Sequence, residues 1–254
     1  MSSLDQWKFF DIRQNGLLLC NPMNEEKFER LCRLLRLDRG TRVLDIACGK
    51  GEFLVMLAEL FDIVGVGVDI SPYCIRECLD KKRARVPEAD IKFIEMDGAE
   101  YEPESYESFD LAMCIGASGV FGGHRGALRK LKGMTRPGGL VAVGEPFWLK
   151  DPSEEYLRAE GMGREELGTH FDNVRVGEEE GLVCLYTLVS DHDYWDHYET
   201  FQWWAVDDYV RTHPDDPDNL ELLEKTRIGK ESYLRWGRDT QGWAIYVFRK
   251  AQRA

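Results

Sequence analysis

Val43-Leu-Asp-Ile-Ala-Cys-Gly-Lys-Gly-Glu-Phe53 joins an apolar run to a second apolar run through a turn of small residues. Arg42 to Ala47 has the length and composition of a buried strand, and Glu52 to Phe61 those of a helix. Between them, Ala47-x-Gly49-x-Gly51 lets a ligand come close to the backbone, and the helix start offers unpaired N–H groups. A pyrophosphate-binding turn of the G-x-G-x-x-G kind would need glycine at position 54, where Leu54 stands. Asp45, just before the turn, is a poor neighbour for a pyrophosphate and a good one for a cation. Both points speak against a nicotinamide-dependent oxidoreductase.

Outward from this turn, strand and helix patterns alternate. Asp62 to Val68 reads as a second strand ending at Asp69, and Ser71-Pro72 opens a helix with a capping side chain and a proline in the first turn. Ile91 to Met96 and Phe109 to Ile115 read as third and fourth strands. A glycine-rich loop, 116–126, precedes a helix near Ala127 to Met134, and Arg136 to Gly139 reads as a tight turn. Leu140 to Val143 is a fifth strand ending at Gly144-Glu145-Pro146. Such alternation predicts a parallel sheet covered on both faces, with ligands beyond the carboxyl ends of its strands. Upstream, Asn24 is placed to cap a helix carrying Phe28, Leu31, Leu34 and Leu35 at helical spacing. Downstream come a polar helical stretch, a strand at Leu182 to Val189, an aromatic helix and a last strand at Trp243 to Phe248. The whole, 1–254, reads as one domain: an N-terminal helical segment (1–39), a ligand-binding core (40–150), and substrate-side helices with the last two strands (151–254).

Asp45, Asp69 and Asp97 recur at the same end of three successive strands. Asp69 is suited to accept from ribose hydroxyls and Asp97 from an adenine amino group, although an Asp-Gly pair also favours ordinary turns. VLDIACGKGEF resembles the first motif of the class I S-adenosylmethionine-dependent methyltransferases, and VGVDIS, MDGAEY, FDLAMCIGAS and LKGMTRPGGLVAVGEP resemble its later motifs, in order. Together they span about residues 40–150. The resemblance implies a Rossmann-like, doubly wound α/β fold of seven strands in the order 3-2-1-4-5-7-6, the last antiparallel, with a helical insertion between the last two. It implies S-adenosylmethionine as methyl donor, S-adenosylhomocysteine as product, and a cofactor site of Asp45, Ala47, Gly49, Gly51, Asp69, Ile70, Asp97, Gly98, Ala99, Ile115 and Gly116. Ala47 stands where many relatives have glycine. Leu19-Cys-Asn-Pro22 and Gly144-Glu-Pro-Phe-Trp148 resemble bacterial small-molecule methyltransferase-like proteins related to quinone-biosynthesis C-methyltransferases, a group that does not fix one substrate.

The chain has 254 residues, a net charge of -13 and a sequence pI near 4.9, a balance opposed to nucleic-acid binding. KKRAR (Lys81 to Arg85) ends a predicted helix, where basic residues complement the dipole. No apolar run of about 18 residues suggests a membrane span, and the N-terminus lacks the pattern of a secretory signal. Seven cysteines without a C-x-x-C pair fit free thiols in a reducing, cytoplasmic setting, with no metal site. The expected acceptor is a small molecule and the expected state a monomer or homodimer.

Candidate acceptor-side residues are His124, Glu145, Phe147, Trp148, Tyr198 and Trp204, each with a plainer reading as surface or packing residue. His192 and His197 flank the aromatic segment and carry weaker claims. No catalytic base stands out, so no catalytic residue is assigned. Trp7, Phe9 and Phe10 would suit a lid. A methyltransferase acting on a macromolecule and a non-catalytic cofactor-binding protein are the competing readings.

Overall fold

A computed structural model describes residues 4–252. Seven strands form one sheet: β1 (Arg42–Ile46), β2 (Val64–Asp69), β3 (Asp90–Glu95), β4 (Phe109–Ile115), β5 (Thr135–Trp148), β6 (Leu182–Val189) and β7 (Gln241–Lys250). They lie in the order β3-β2-β1-β4-β5-β7-β6. The first five are parallel, and β7 runs antiparallel to both neighbours, as the motifs implied.

Helices cover both faces, which explains the unbroken apolar runs of the central strands. Along β4, Leu111 and Met113 face one core with Phe28 and Leu31 of α2 (Glu25–Leu35) and Phe53, Leu54 and Leu57 of α3 (Glu52–Phe61). Ala112 and Cys114 face the other, with Ala127, Leu128 and Leu131 of α5 (His124–Met134). Caps set the helix starts. Asn24 Oδ1 accepts from the N–H groups of Glu26 and Lys27. Ser71 Oγ accepts from Cys74 N–H ahead of Pro72 in α4 (Pro72–Arg85).

β5 is longer than the sequence suggested. The expected turn at 136–139 is a bulge inside it: Phe109 pairs with Thr135, then Leu111 with Leu140. The strand also continues past Pro146 to Trp148, pairing there with Gln241 of β7. A proline is tolerated because β5 has already left β4, whose pairing ends at Ile115 opposite Gly144. His124, expected in a loop, is the first residue of α5.

α6 (Glu154–Glu160) and α7 (His170–Glu179) lead into β6. The insertion between β6 and β7 is α8 (His192–Thr212) and α9 (Asn219–Ser232). α8 turns Tyr198, Gln202, Ala205 and Val206 inward at helical spacing. The N-terminal α1 (Gln6–Gln14) packs on α8, with Leu4, Ile12, Val206 and Leu222 sharing one apolar cluster. Among the described residues, no helix is long and apolar enough to cross a membrane.

Candidate active site

The loop after β1 is built from left-handed backbone. Ala47, Gly49 and Gly51 have φ of 56°, 53° and 71°. Alanine tolerates that region at a cost; Gly51 cannot be replaced cheaply. A Cβ there would lie 2.8 Å from Cys78 Sγ and 3.0 Å from Phe93. Gly51→Ala is therefore expected to lower folding stability by roughly 2–4 kcal/mol, from left-handed strain plus overpacking. Urea denaturation measures this, and an unchanged midpoint would contradict it.

Two carboxylates lie beside this loop: Asp69 holds it, and Asp45 lines the cleft above it. Asp69 Oδ2 accepts from Gly49 N–H and Oδ1 from Ser71 N–H, both at 2.8 Å. Each oxygen keeps a lone pair for a ligand hydroxyl. Burial raises the Asp69 pKa, and those two N–H groups oppose the rise. Asp45 is 2% exposed and its Oδ1 has no hydrogen-bond partner. Burial first, and then the nearby Asp69 carboxylate, push its pKa well above the ordinary range. A buried carboxyl oxygen with no donor is costly unless a ligand supplies one.

Ile70 and Met96, at the ends of β2 and β3, stay 41% and 38% exposed, as suits the flat face of a base. Asp97 Oδ1 accepts from Ala99 N–H, capping the 3-10 turn Gly98–Glu100. A Cβ on Gly98 would lie 2.6 Å from Ile46, so glycine permits that close crossing. Gly116, φ 87°, donates its N–H to the Gly144 carbonyl at 3.0 Å. Thus the expected cofactor residues converge at one end of β1, β2, β3 and β4. An unpartnered acid for a cation, a glycine cradle and an apolar shelf fit S-adenosylmethionine, which when bound supplies an activated methyl on a sulfonium.

The connector between α1 and α2 lies over this cleft. Leu19, Cys20 and Asn21 share its lining with Asp45, Gly49 and Ile115, and the enclosed room is about 50 Å³. Ligand pockets run to about 300 Å³ or more, so the connector narrows this cleft below the usual size. Lys50, between the two glycines, ties the loop to this cover. Its Nζ donates to the Gln14 carbonyl at 2.8 Å and pairs with Glu77 at 3.1 Å, and its side chain is 3% exposed. Sequence reading passed over Lys50 because its partner carbonyl lies far back in the chain. Lys50→Met should leave the fold intact but free α1, losing about 1–3 kcal/mol of attachment. Limited proteolysis between α1 and α2 should then run at least several-fold faster, and an unchanged rate would count against the tether.

The acceptor-side candidates divide. Glu145, where β5 parts from β4, accepts at Oε1 from Ser118 Oγ at 2.8 Å, and His124 stands beside it. They line a pocket of about 610 Å³ with Asn173 and Gly168. Tyr198 is half-buried beside α1: Gln14 Nε2 donates to its hydroxyl at 3.0 Å, which reaches the Cys20 carbonyl at 3.4 Å. It therefore supports the cover of the cleft. Phe147 and Trp148 are packing residues, 4% and 8% exposed. Phe147 lies 4.9 Å from the His170 ring, and the Trp148 indole N–H donates to the Arg164 carbonyl at 2.9 Å. Trp204, expected to line a pocket, is 73% exposed, because the inward stripe of α8 turns it to solvent. His197 sits between the rings of Tyr194 and Phe201, away from Glu145's cluster. A separate groove at the opposite end of the strands, near Asp38 and Arg136, is far from these groups.

Residues 43–139 match the methyltransferase domain family model. YjhP of Escherichia coli (strain K12) is 30% identical over 246 residues, covering 96% of this chain and 98% of that one. Its crystal structure matches with a TM-score of 0.89, over 97% of this chain and 100% of the other. A methyltransferase of Geobacter sulfurreducens, solved with S-adenosyl-L-homocysteine, matches with a TM-score of 0.89 and 26% identity, over 98% of this chain and 99% of its own. Trans-aconitate 2-methyltransferase of Paracidovorax citrulli (strain AAC00-1) is 29% identical over 160 residues, 58% of this chain and 59% of that one. The chain belongs to the class I S-adenosylmethionine-dependent methyltransferases.

Proposed function

We propose that this methyltransferase acts on a small-molecule acceptor, bound in the pocket of Ser118, His124 and Glu145, with the cofactor held by Asp45, Asp69, Asp97 and the turn around Gly49 and Gly51. The observation that carries this reading is the pocket's place. Its size, about 610 Å³, suits a small molecule. Ile115, which lines the cofactor cleft, pairs with Gly144, the residue before Glu145. Methyl transfer is an in-line displacement, so the protein's main task is to align donor and acceptor, worth about 7–11 kcal/mol. The net charge of -13 opposes a nucleic-acid substrate. The trans-aconitate relative is consistent with a small acceptor. The resemblance to quinone-biosynthesis C-methyltransferases does not fix one substrate or acceptor atom. A cytoplasmic monomer or homodimer remains the expected setting.

The test is to incubate the protein with methyl-labelled S-adenosylmethionine and a cell extract split into ultrafiltrate, protein and RNA. Label should enter the ultrafiltrate. Label confined to protein or RNA would overturn the small-molecule reading, and product analysis identifies the methylated atom.

A further inference from the structure

Two hydrogen-bond acceptors on nearly buried side chains, His124 Nδ1 and Glu145 Oε2, meet in the Glu145 pocket. His124 Nε2–H donates to the Asn173 carbonyl at 2.9 Å, which leaves Nδ1 as a lone pair. Burial lowers the imidazole pKa, so the ring stays neutral. Nδ1 is buried without a partner and lies 4.0 Å from Glu145 Oε2. The two side chains are only 9% and 8% exposed. Ser118 occupies the other carboxyl oxygen, leaving Oε2 for the pocket.

The rim adds negative charge. Glu165, Glu166 and Asp172 line the same pocket. Among the described residues, Arg125 is the one Lys or Arg that lines it, and it is already paired with Glu179 and Glu180. A polycarboxylate would meet repulsion here. A group with two N–H donors and a positive or neutral charge would satisfy both the unpartnered His124 Nδ1 and Glu145 Oε2, at about 2.9 Å each.

We propose that this pocket takes a primary amine as methyl acceptor, and that Glu145 is the catalytic base that receives the amine's proton. The proposal rests on the small-molecule reading above. The neutral amine is held through N–H donation to Glu145 Oε2 and His124 Nδ1. Its nitrogen lone pair forms the new C–N bond as the S–CH₃ bond breaks, the bonding pair staying on sulfur. The proton of the resulting ammonium passes to the Glu145 carboxylate and then to solvent. Burial places the Glu145 pKa at about 7, with the Ser118 bond opposing, a range suited to taking and releasing a proton near neutrality. The titratable groups around it are Cys114 on β4, His124 on α5 and Tyr246 on β7, with Glu165, Glu166, Asp172 and Arg125 at the rim.

The experiment uses the full chain saturated with S-adenosylhomocysteine. Propylamine and, separately, citrate are titrated while the His124 ring resonance, assigned through His124→Gln, is followed by NMR. Propylamine should shift it saturably and citrate should not, with at least tenfold weaker amine binding in Glu145→Gln. With S-adenosylmethionine and a panel of primary amines, a methylated amine should form. Glu145→Gln should lower kcat by about 10²–10⁴-fold and remove the acid limb of the pH profile. S-adenosylhomocysteine bound while propylamine leaves His124 unmoved overturns this proposal alone, as does a shift by citrate instead. No methylated amine from the panel, or full activity in Glu145→Gln, overturns the base assignment. Failure of S-adenosylhomocysteine to bind overturns the cofactor assignment beneath it.

Discussion

Asp45→Asn is expected to weaken S-adenosylmethionine binding by roughly tenfold to a hundredfold while leaving the free protein as stable as before, or more so. The carboxyl is 2% exposed and its Oδ1 lacks a donor, so the fold gains nothing from its charge. Burial and Asp69 instead hold its pKa high. A cationic ligand reverses that balance by favouring the carboxylate, and a charge-assisted contact is worth about 1.5–3 kcal/mol. It follows that binding releases a proton in the pH range where free Asp45 is protonated. Affinity should rise with pH across that range in the wild type and be flat in Asp45→Asn. Calorimetric titration at several pH values reads both effects. Equal affinity in the two proteins would mean that Asp45 does not face the cation.

Glu145→Gln should stabilise the fold at about pH 8 by roughly 2–3 kcal/mol and much less at about pH 4. The folded-state pKa is about 7, raised from an ordinary 4.5, with burial as the main cause. A raised acid binds its proton more tightly folded than unfolded. Its favourable contribution is complete below the unfolded value and is lost as pH rises through about 7. The glutamine amide keeps the acceptor for Ser118 and offers a donor to the unpartnered His124 Nδ1. Urea denaturation at the two pH values is the check, and equal stability of variant and wild type at the higher pH would refute the buried-carboxylate account. Stabilisation combined with lost turnover would also show that the activity loss is not a folding defect.

Much of this architecture is legible in local sequence because local forces set it. The turn Ala47-x-Gly49-x-Gly51 reads directly, since left-handed backbone and close packing select small residues. The caps at Asn24 and Ser71 read for the same reason, their partners lying within three residues. What stayed hidden depends on distant chain. β5 seemed to stop at Pro146, yet the missing donor matters only where a neighbouring strand would accept it, and β4 has ended by then. His124 looked like a loop residue, and its burial depends on Asn173 of α7. Trp204 shared its aromatic character with Tyr198, but the axis of α8 sends one outward and the other beside α1.

Calorimetric titration of S-adenosylmethionine and S-adenosylhomocysteine into the intact protein tests the central claim most directly, with NADH as control. Both adenosyl compounds should bind and NADH should not, and a concentration of about 100 times the dissociation constant should raise folding stability by roughly 2.7 kcal/mol. Binding of NADH, or no heat and no stabilisation with either adenosyl compound, would contradict the account.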